Sequence, residues 1–114
     1  MMSNNDLTWA DFEKVEIRTA TVMAVEAFPQ ARKPAYKLTL DFGEFGIKRT
    51  SAQLTKLYQI DELVGKQVVA VVNFPPKQIA TFMSECLVLG AVADDGTVTL
   101  LQTERTAQNG LRIA

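Results

Sequence analysis

The sequence predicts a mostly β fold, a small Greek-key barrel of about five strands. A short helix joins strands 3 and 4, with a short N-terminal helix before the barrel and a β extension after it. Three observations carry this reading. Short runs of β-branched and aromatic residues are bounded by Pro, Gly, Asn and Asp turns. One of them, Tyr36-Lys37-Leu38-Thr39-Leu40-Asp41-Phe42, is apolar at every second residue. No helical periodicity lasts beyond a turn or two. The 114 residues fit one domain, residues 1–114, with an N-terminal arm (1–14) and a C-terminal extension (94–114). A chain of this size holds a core without staples.

The elements follow in order. Thr8 is placed to cap a short helix with Asp11 as its partner, and Leu7 and Phe12 occupy the two positions of a hydrophobic staple. Trp9, the sole Trp, suits an arm that docks on its own core or on a second subunit. Val15 to Phe28 reads as a long strand, bent near Ala20 and ended by Pro29. Pro29 to Pro34 is a basic loop. Tyr36–Phe42 and Ile47–Ser51 form a hairpin across the Gly43-Glu44-Phe45-Gly46 turn. Ala52 to Tyr58 is expected as a short helix and Asp61 to Gly65 as a turn. Val68 to Val72 is a continuous apolar strand, stopped by Phe74-Pro75-Pro76. Lys77 to Met83 reads as an irregular or one-turn helical connection. Leu87 to Val92 and Val98 to Leu101 are strands around Asp94-Asp95-Gly96, and Asn109-Gly110 turns into a last short strand, Leu111 to Ile113. This order suits a barrel of the OB type. Periodicity does not give strand order, so an SH3-like barrel or a sandwich fits the same elements.

Composition narrows the chemistry. There is no His and a single Cys, Cys86. The commonest general acid/base and metal ligand is therefore missing, and one thiol closes no intramolecular disulfide and completes no Cys-rich zinc site. A reduced, cytoplasmic setting is the simplest reading. No run approaches the length of a membrane span, and the first six residues lack the basic start and apolar run of a secretory signal. Gly43 and Gly46 are spaced as a turn, so no phosphate-cradling loop is present. Asp61-Glu62 and Asp94-Asp95 sit beside turn signals and read as solvated turn residues. No catalytic residue, metal site or cofactor is expected, and the protein is read as a binder rather than an enzyme.

The formal net charge of −1 conceals a segregation. Residues 30–58 hold six of the twelve basic residues, Arg32, Lys33, Lys37, Lys48, Arg49 and Lys56, against Asp41 and Glu44 alone. A solvated strand face accounts for this about as well as a patch for an anionic partner. Phe74, Pro75, Pro76, Phe82 and Met83 lie outside the strong strand patterns, with Ile79 read as a barrel plug. Met and Phe beside a rigid proline turn suit an adaptable apolar groove, or stacking platforms for single-stranded nucleic acid.

Several stretches resemble the tRNA-binding-domain OB folds. Glu16-Ile17-Arg18-Thr19 resembles the first-strand pattern, with Ala20 where Gly is usual. Phe28-Pro29-Gln30-Ala31 resembles a His-Pro-x-Ala loop with Phe28 in place of His. Ser84-Glu85-Cys86-Leu87-Val88-Leu89 resembles a Ser-Glu-Gly-Met-Leu-Leu signature with Cys86 for Gly and Leu87 for Met. Within that superfamily the stretches Ile47 to Gln53 and Lys66 to Pro76, with its Val-Asn-Phe-Pro-Pro run, are most similar to the CsaA-type export chaperones. The likeness runs from about Phe12 to the C-terminus.

The resemblance implies an OB barrel whose terminal extensions build a homodimer. It also implies a cytoplasmic protein that binds unfolded or pre-export polypeptides and contacts the export motor ATPase, without entering the membrane. On that reading Phe74, Pro75, Pro76, Phe82 and Met83 supply apolar contacts to a peptide. Lys33, Lys37 and Arg49 supply a basic rim, and Ser84 a hydrogen bond. The alternative is a structure-specific tRNA binder using Arg32, Lys33, Lys37, Lys48, Arg49, Lys56 and Ser84. In tRNA-binding relatives the loop after the first strand and the Ser-Glu signature contribute to the RNA site. Those positions correspond to Pro29–Lys33 and Ser84–Leu87 here.

Overall fold

Thr8 starts the first ordered element as its residue type dictates. Its hydroxyl accepts the Asp11 N–H (3.1 Å), and the Asp11 carboxylate accepts the Thr8 N–H (3.2 Å). The helix α1 that follows, Trp9–Glu13, buries none of its residues. A computed structural model describes residues 5–114. The first four residues of the expected arm, and most of the stretch read as lacking a secretory signal, lie outside the described residues.

Among the described residues nine strands follow: β1 Ile17–Ala27, β2 Tyr36–Asp41, β3 Ile47–Ala52, β4 Gln67–Val71, β5 Lys77–Ile79, β6 Phe82–Ser84, β7 Leu87–Val88, β8 Gly90–Val92 and β9 Val98–Leu100. A 3-10 turn, Gly43–Phe45, and a short helix, α2 Ile60–Leu63, interrupt them. Five strands make the barrel wall in the antiparallel order β3-β2-β1-β4-β7, which is nearly closed. The pairs β5-β6 and β8-β9 are separate hairpins. The small OB-type barrel with a helix between strands 3 and 4 is therefore the observed fold.

Strand β1 serves two partners. Ile17 to Thr21 pair with β4, and Thr21 to Ala27 pair with β2. Where it passes from one to the other the register slips between Val22 and Ala24, a bulge that leaves Met23 exposed. The bend expected at Ala20 is thus at Met23; Ala20 is fully buried and pairs with Val68. Alternation on β2 sends Leu38 and Leu40 inward, where they meet Val22, Phe42, Leu54, Leu63, Val68 and Ala70 in one core. Cys86 joins this core as a small apolar residue.

Three other local expectations need correction. Residues 55–57 form a turn, and the helix lies later, at Ile60–Leu63, where Glu62 accepts the Gln59 N–H at 2.6 Å. Leu63 is the residue this helix buries, so the core contact selects its position. The stretch 77–83 is a β-hairpin rather than a helical connection. Its turn runs through Ala80 at φ 53, a conformation normally left to Gly or Asn, so the usual hairpin signal is absent from the sequence. The strand expected over 87–92 breaks at Leu89, whose N–H donates to Val69 of the barrel while its carbonyl accepts from Leu101 of the outer hairpin.

The C-terminal extension seals the free edge of β1. The Thr19 N–H donates to the Leu111 carbonyl and the Ile113 N–H to the Ile17 carbonyl, flanking a backbone bridge between Arg112 and Arg18. The Thr19 hydroxyl donates to the Gln108 carbonyl at 2.7 Å and accepts the Leu111 N–H at 3.0 Å. Gln67 acts as a peptide-group mimic here, accepting the Ala107 N–H (2.9 Å) and donating to its carbonyl (2.6 Å).

Candidate functional site

The pleat that sends Leu38 and Leu40 inward turns Lys37 and Thr39 outward. Thr39 pairs with Arg49, Lys37 with Ser51, and Glu26 of β1 pairs with Lys37. Glu26, Lys37 and Arg49 therefore share the outer face of β1-β2-β3. This is the face OB barrels use for ligands, between the β1–β2 loop and the connection after β4.

Two aromatic rings back this face. Phe28, at the start of the loop, and Phe82, on β6, are both buried and meet edge to face with centroids 5.4 Å apart. The Lys37 ammonium lies 4.8 Å from the Phe28 centroid and 5.5 Å from that of Phe82. The Arg49 guanidinium lies over the same Phe82 ring at 4.8 Å. Arg49 also reaches the Glu26 carboxylate at 3.9 Å, with both side chains largely exposed. Phe82 thus seats two cations instead of offering an open platform for bases.

The Ser-Glu pair acts as the clasp that closes the barrel beside this face. Glu85 accepts the Arg49 N–H with its carboxylate (2.9 Å), and its own N–H donates to the Arg49 carbonyl (2.8 Å). A side chain here substitutes for a neighbouring strand and fixes the backbone that carries Arg49. The Ser84 hydroxyl lies 2.9 Å from the Thr50 hydroxyl and accepts from the Ser51 N–H. Thr50 donates to the Cys86 carbonyl at 2.6 Å. The Ser84 hydroxyl also donates to the Cys86 carbonyl at 3.4 Å, so it works within the protein, with partners on three sides.

On the rim, Phe74, Pro75, Pro76 and Met83 are exposed. Alternation along β6 explains Met83, which faces outward because Phe82 faces in. Asn73 anchors this rim: its amide accepts the Glu16 N–H (3.0 Å) and donates to the Lys14 carbonyl (2.6 Å). The Asn of the Val-Asn-Phe-Pro-Pro run thereby ties the apolar turn to the start of β1.

The six basic residues clustered in the sequence separate in space. Arg32 and Lys33 are exposed on the loop that Phe28 opens, and Lys37 and Arg49 lie on the face. Lys48 pairs with buried Leu40 and alternates to the opposite side from Arg49. Lys56 donates to the Asp95 carbonyl in the β8–β9 turn. Two of the six, Lys37 and Arg49, are on the face. Sequence reasoning missed Glu26, Phe28, Asn73 and Glu85 as contributors. Phe28, Asn73 and Glu85 stand inside family motifs, whereas Glu26 is found only from strand register. Among the described residues no cluster of three His, Cys, Asp or Glu side chains is placed to hold a metal ion, and no helix is long and apolar enough to cross a membrane.

A nearly closed OB-type barrel with a cationic, aromatic-backed face is the layout of a ligand-binding module. The family model described as "Putative tRNA binding domain" matches residues 17–112. Two solved structures align along nearly the whole chain. Chaperone CsaA of Bacillus anthracis is 49% identical with a TM-score of 0.92, covering 96% of this chain and 99% of that one. The CsaA chaperone protein of Picrophilus torridus is 50% identical with a TM-score of 0.89, covering 96% and 100%. The chain belongs to the tRNA-binding-domain family and, within it, to the CsaA branch. Similarity also extends to the methionine–tRNA ligase 1 of Sorangium cellulosum, 33% identical over 108 residues. The chain spans 15% of that ligase's length.

Proposed function

We propose that the protein is a nucleotide-independent, cytoplasmic, homodimeric chaperone that holds unfolded or pre-export polypeptides and supports their export. Phe74 and Met83 carry this reading, because both stand exposed, Met83 directly after the Phe82 whose ring seats Lys37 and Arg49. Extended segments lie across the β1-β2-β3 face with apolar side chains against Phe74, Pro75, Pro76 and Met83. Lys33, Lys37 and Arg49 meet their polar groups, while Phe82 and Ser84 hold the site together from behind. The likeness to two proteins named as CsaA chaperones supports it. An export motor ATPase is a further partner on the same reading. The dimer is supported by Leu7 and Trp9, 74% and 83% exposed at α1, a helix with no buried residue.

The test is suppression of aggregation of a denatured client without nucleotide. Phe74 is 56% exposed and Met83 46%, so covering each contributes roughly 1 kcal/mol. Phe74→Ala/Met83→Ala is expected to weaken holding by about tenfold or more while leaving the melting temperature nearly unchanged. Equal protection by the double variant overturns the groove.

A second reading is structure-specific tRNA binding, favoured by the family match and by Lys37 and Arg49 on the face, with Arg32 and Lys33 exposed on the loop after β1. Phosphate contacts make such binding fall steeply with salt. Electrophoretic shift of tRNA at two salt concentrations tests it, and no shift at the lower salt eliminates it.

A further inference from the structure

We propose that Glu26 is a specificity-determining residue that holds the cationic face back from polyanions. The inference rests on β1-β2-β3 being the ligand face. Lys37 and Arg49 are drawn together over one ring, Phe82, at 5.5 and 4.8 Å from its centroid. Two like charges sharing an aromatic seat repel each other and raise the local affinity for an anion. Glu26 pairs with Lys37 across the strands and places its carboxylate 3.9 Å from the Arg49 guanidinium.

Neighbouring acids are engaged elsewhere. Glu85 is turned to the Arg49 backbone, and Asp41, at the other end of β2, accepts the Gly43 N–H. Glu26 therefore occupies the position an incoming phosphate takes. A polyanion must displace or repel it, whereas a polypeptide contacting the apolar rim is little affected. Its exposure, with 63% of the side chain accessible, leaves its removal without a packing cost. The same exposure limits the effect to what screened surface charges provide.

Glu26→Gln keeps the shape and removes the charge. Unfractionated tRNA is the probe, titrated at low and moderate salt, with client aggregation measured in parallel. The variant is expected to bind tRNA roughly 2- to 5-fold tighter at low salt, the range of one exposed ion pair. The advantage shrinks as salt rises, and any change in client holding is smaller than the gain for tRNA. Glu26→Asp, which keeps the charge, is expected to behave as the wild type. Equal tRNA affinity in Glu26→Gln and wild type, binding by neither, or an equal gain in Glu26→Asp overturns the proposal. The two readings fail separately. If Phe74→Ala/Met83→Ala still protects clients while Glu26→Gln tightens tRNA binding, the peptide groove falls and the role of Glu26 stands.

Discussion

Cys86 shows how burial sets chemistry at a single residue. Desolvation in the core pushes its thiol up to about 11, against a lesser pull from the Thr50 hydrogen bond. The unfolded thiol titrates near 9.0, so the unfolded chain sheds its proton first as pH rises. The thiol's contribution to stability is intact below 9.0 and declines as pH climbs toward about 11. Denaturant midpoints are expected to drop less over that interval in Cys86→Ala than in wild type, and thiol labelling of the native protein at neutral pH is expected to be slow. An equal drop in both proteins shows the thiol uninvolved. Individual roles were legible where they depend on local order, as with the Thr8–Asp11 cap. They were hidden where they depend on register. Glu26 meets Arg49 only because β1, β2 and β3 align as they do, and Ser84 meets Thr50 across 34 residues of sequence.

Elements were read well where one strand face is buried and poorly where tertiary contacts choose. The β2 alternation survives intact because a register slip there would expose Leu38 and Leu40. The β5-β6 hairpin has no Gly at its turn and too few residues to show a period, so Phe82 packing on Phe28 decides it. The C-terminal segment offers a sharp test. Gly110 adopts φ 87, is buried, and has no room for a β-carbon against the Phe42 carbonyl. Gly110→Ala combines left-handed strain with a backbone clash and is expected to cost about 1–3 kcal/mol. Thermal melting reads this directly, and an unchanged midpoint means the extension does not support the barrel.

Across the whole molecule, net charge was the least informative quantity. The basic cluster of residues 30–58 is divided by the pleat and by Lys56 leaving for the β8–β9 turn, so the linear tally overstated the patch and missed the acid inside it. A mostly β barrel was legible from the strand runs and turn chemistry, whereas the OB type rested on the family resemblance, because strand order leaves no local signal. The proposed dimer is argued from exposed surface as well as from the family resemblance. The radius of gyration, 14.9 Å, exceeds the roughly 13 Å of an equally long compact domain. The proposed dimer predicts a light-scattering mass near twice 12.6 kDa, and a value of 12.6 kDa overturns it.

The C-terminal segment that closes β1, a single bridge at Arg112 where a short strand is expected over Leu111 to Ile113, has a consequence for synthesis. Ile17 and Thr19 are joined to residues that lie some ninety positions downstream. At a synthesis rate of about 5–20 residues per second, β1 waits roughly 5–20 s before its edge partner exists. During that interval the nascent chain carries an unfilled β edge. A module proposed to shield other unfinished chains is thus itself unfinished until its most distant contact is made.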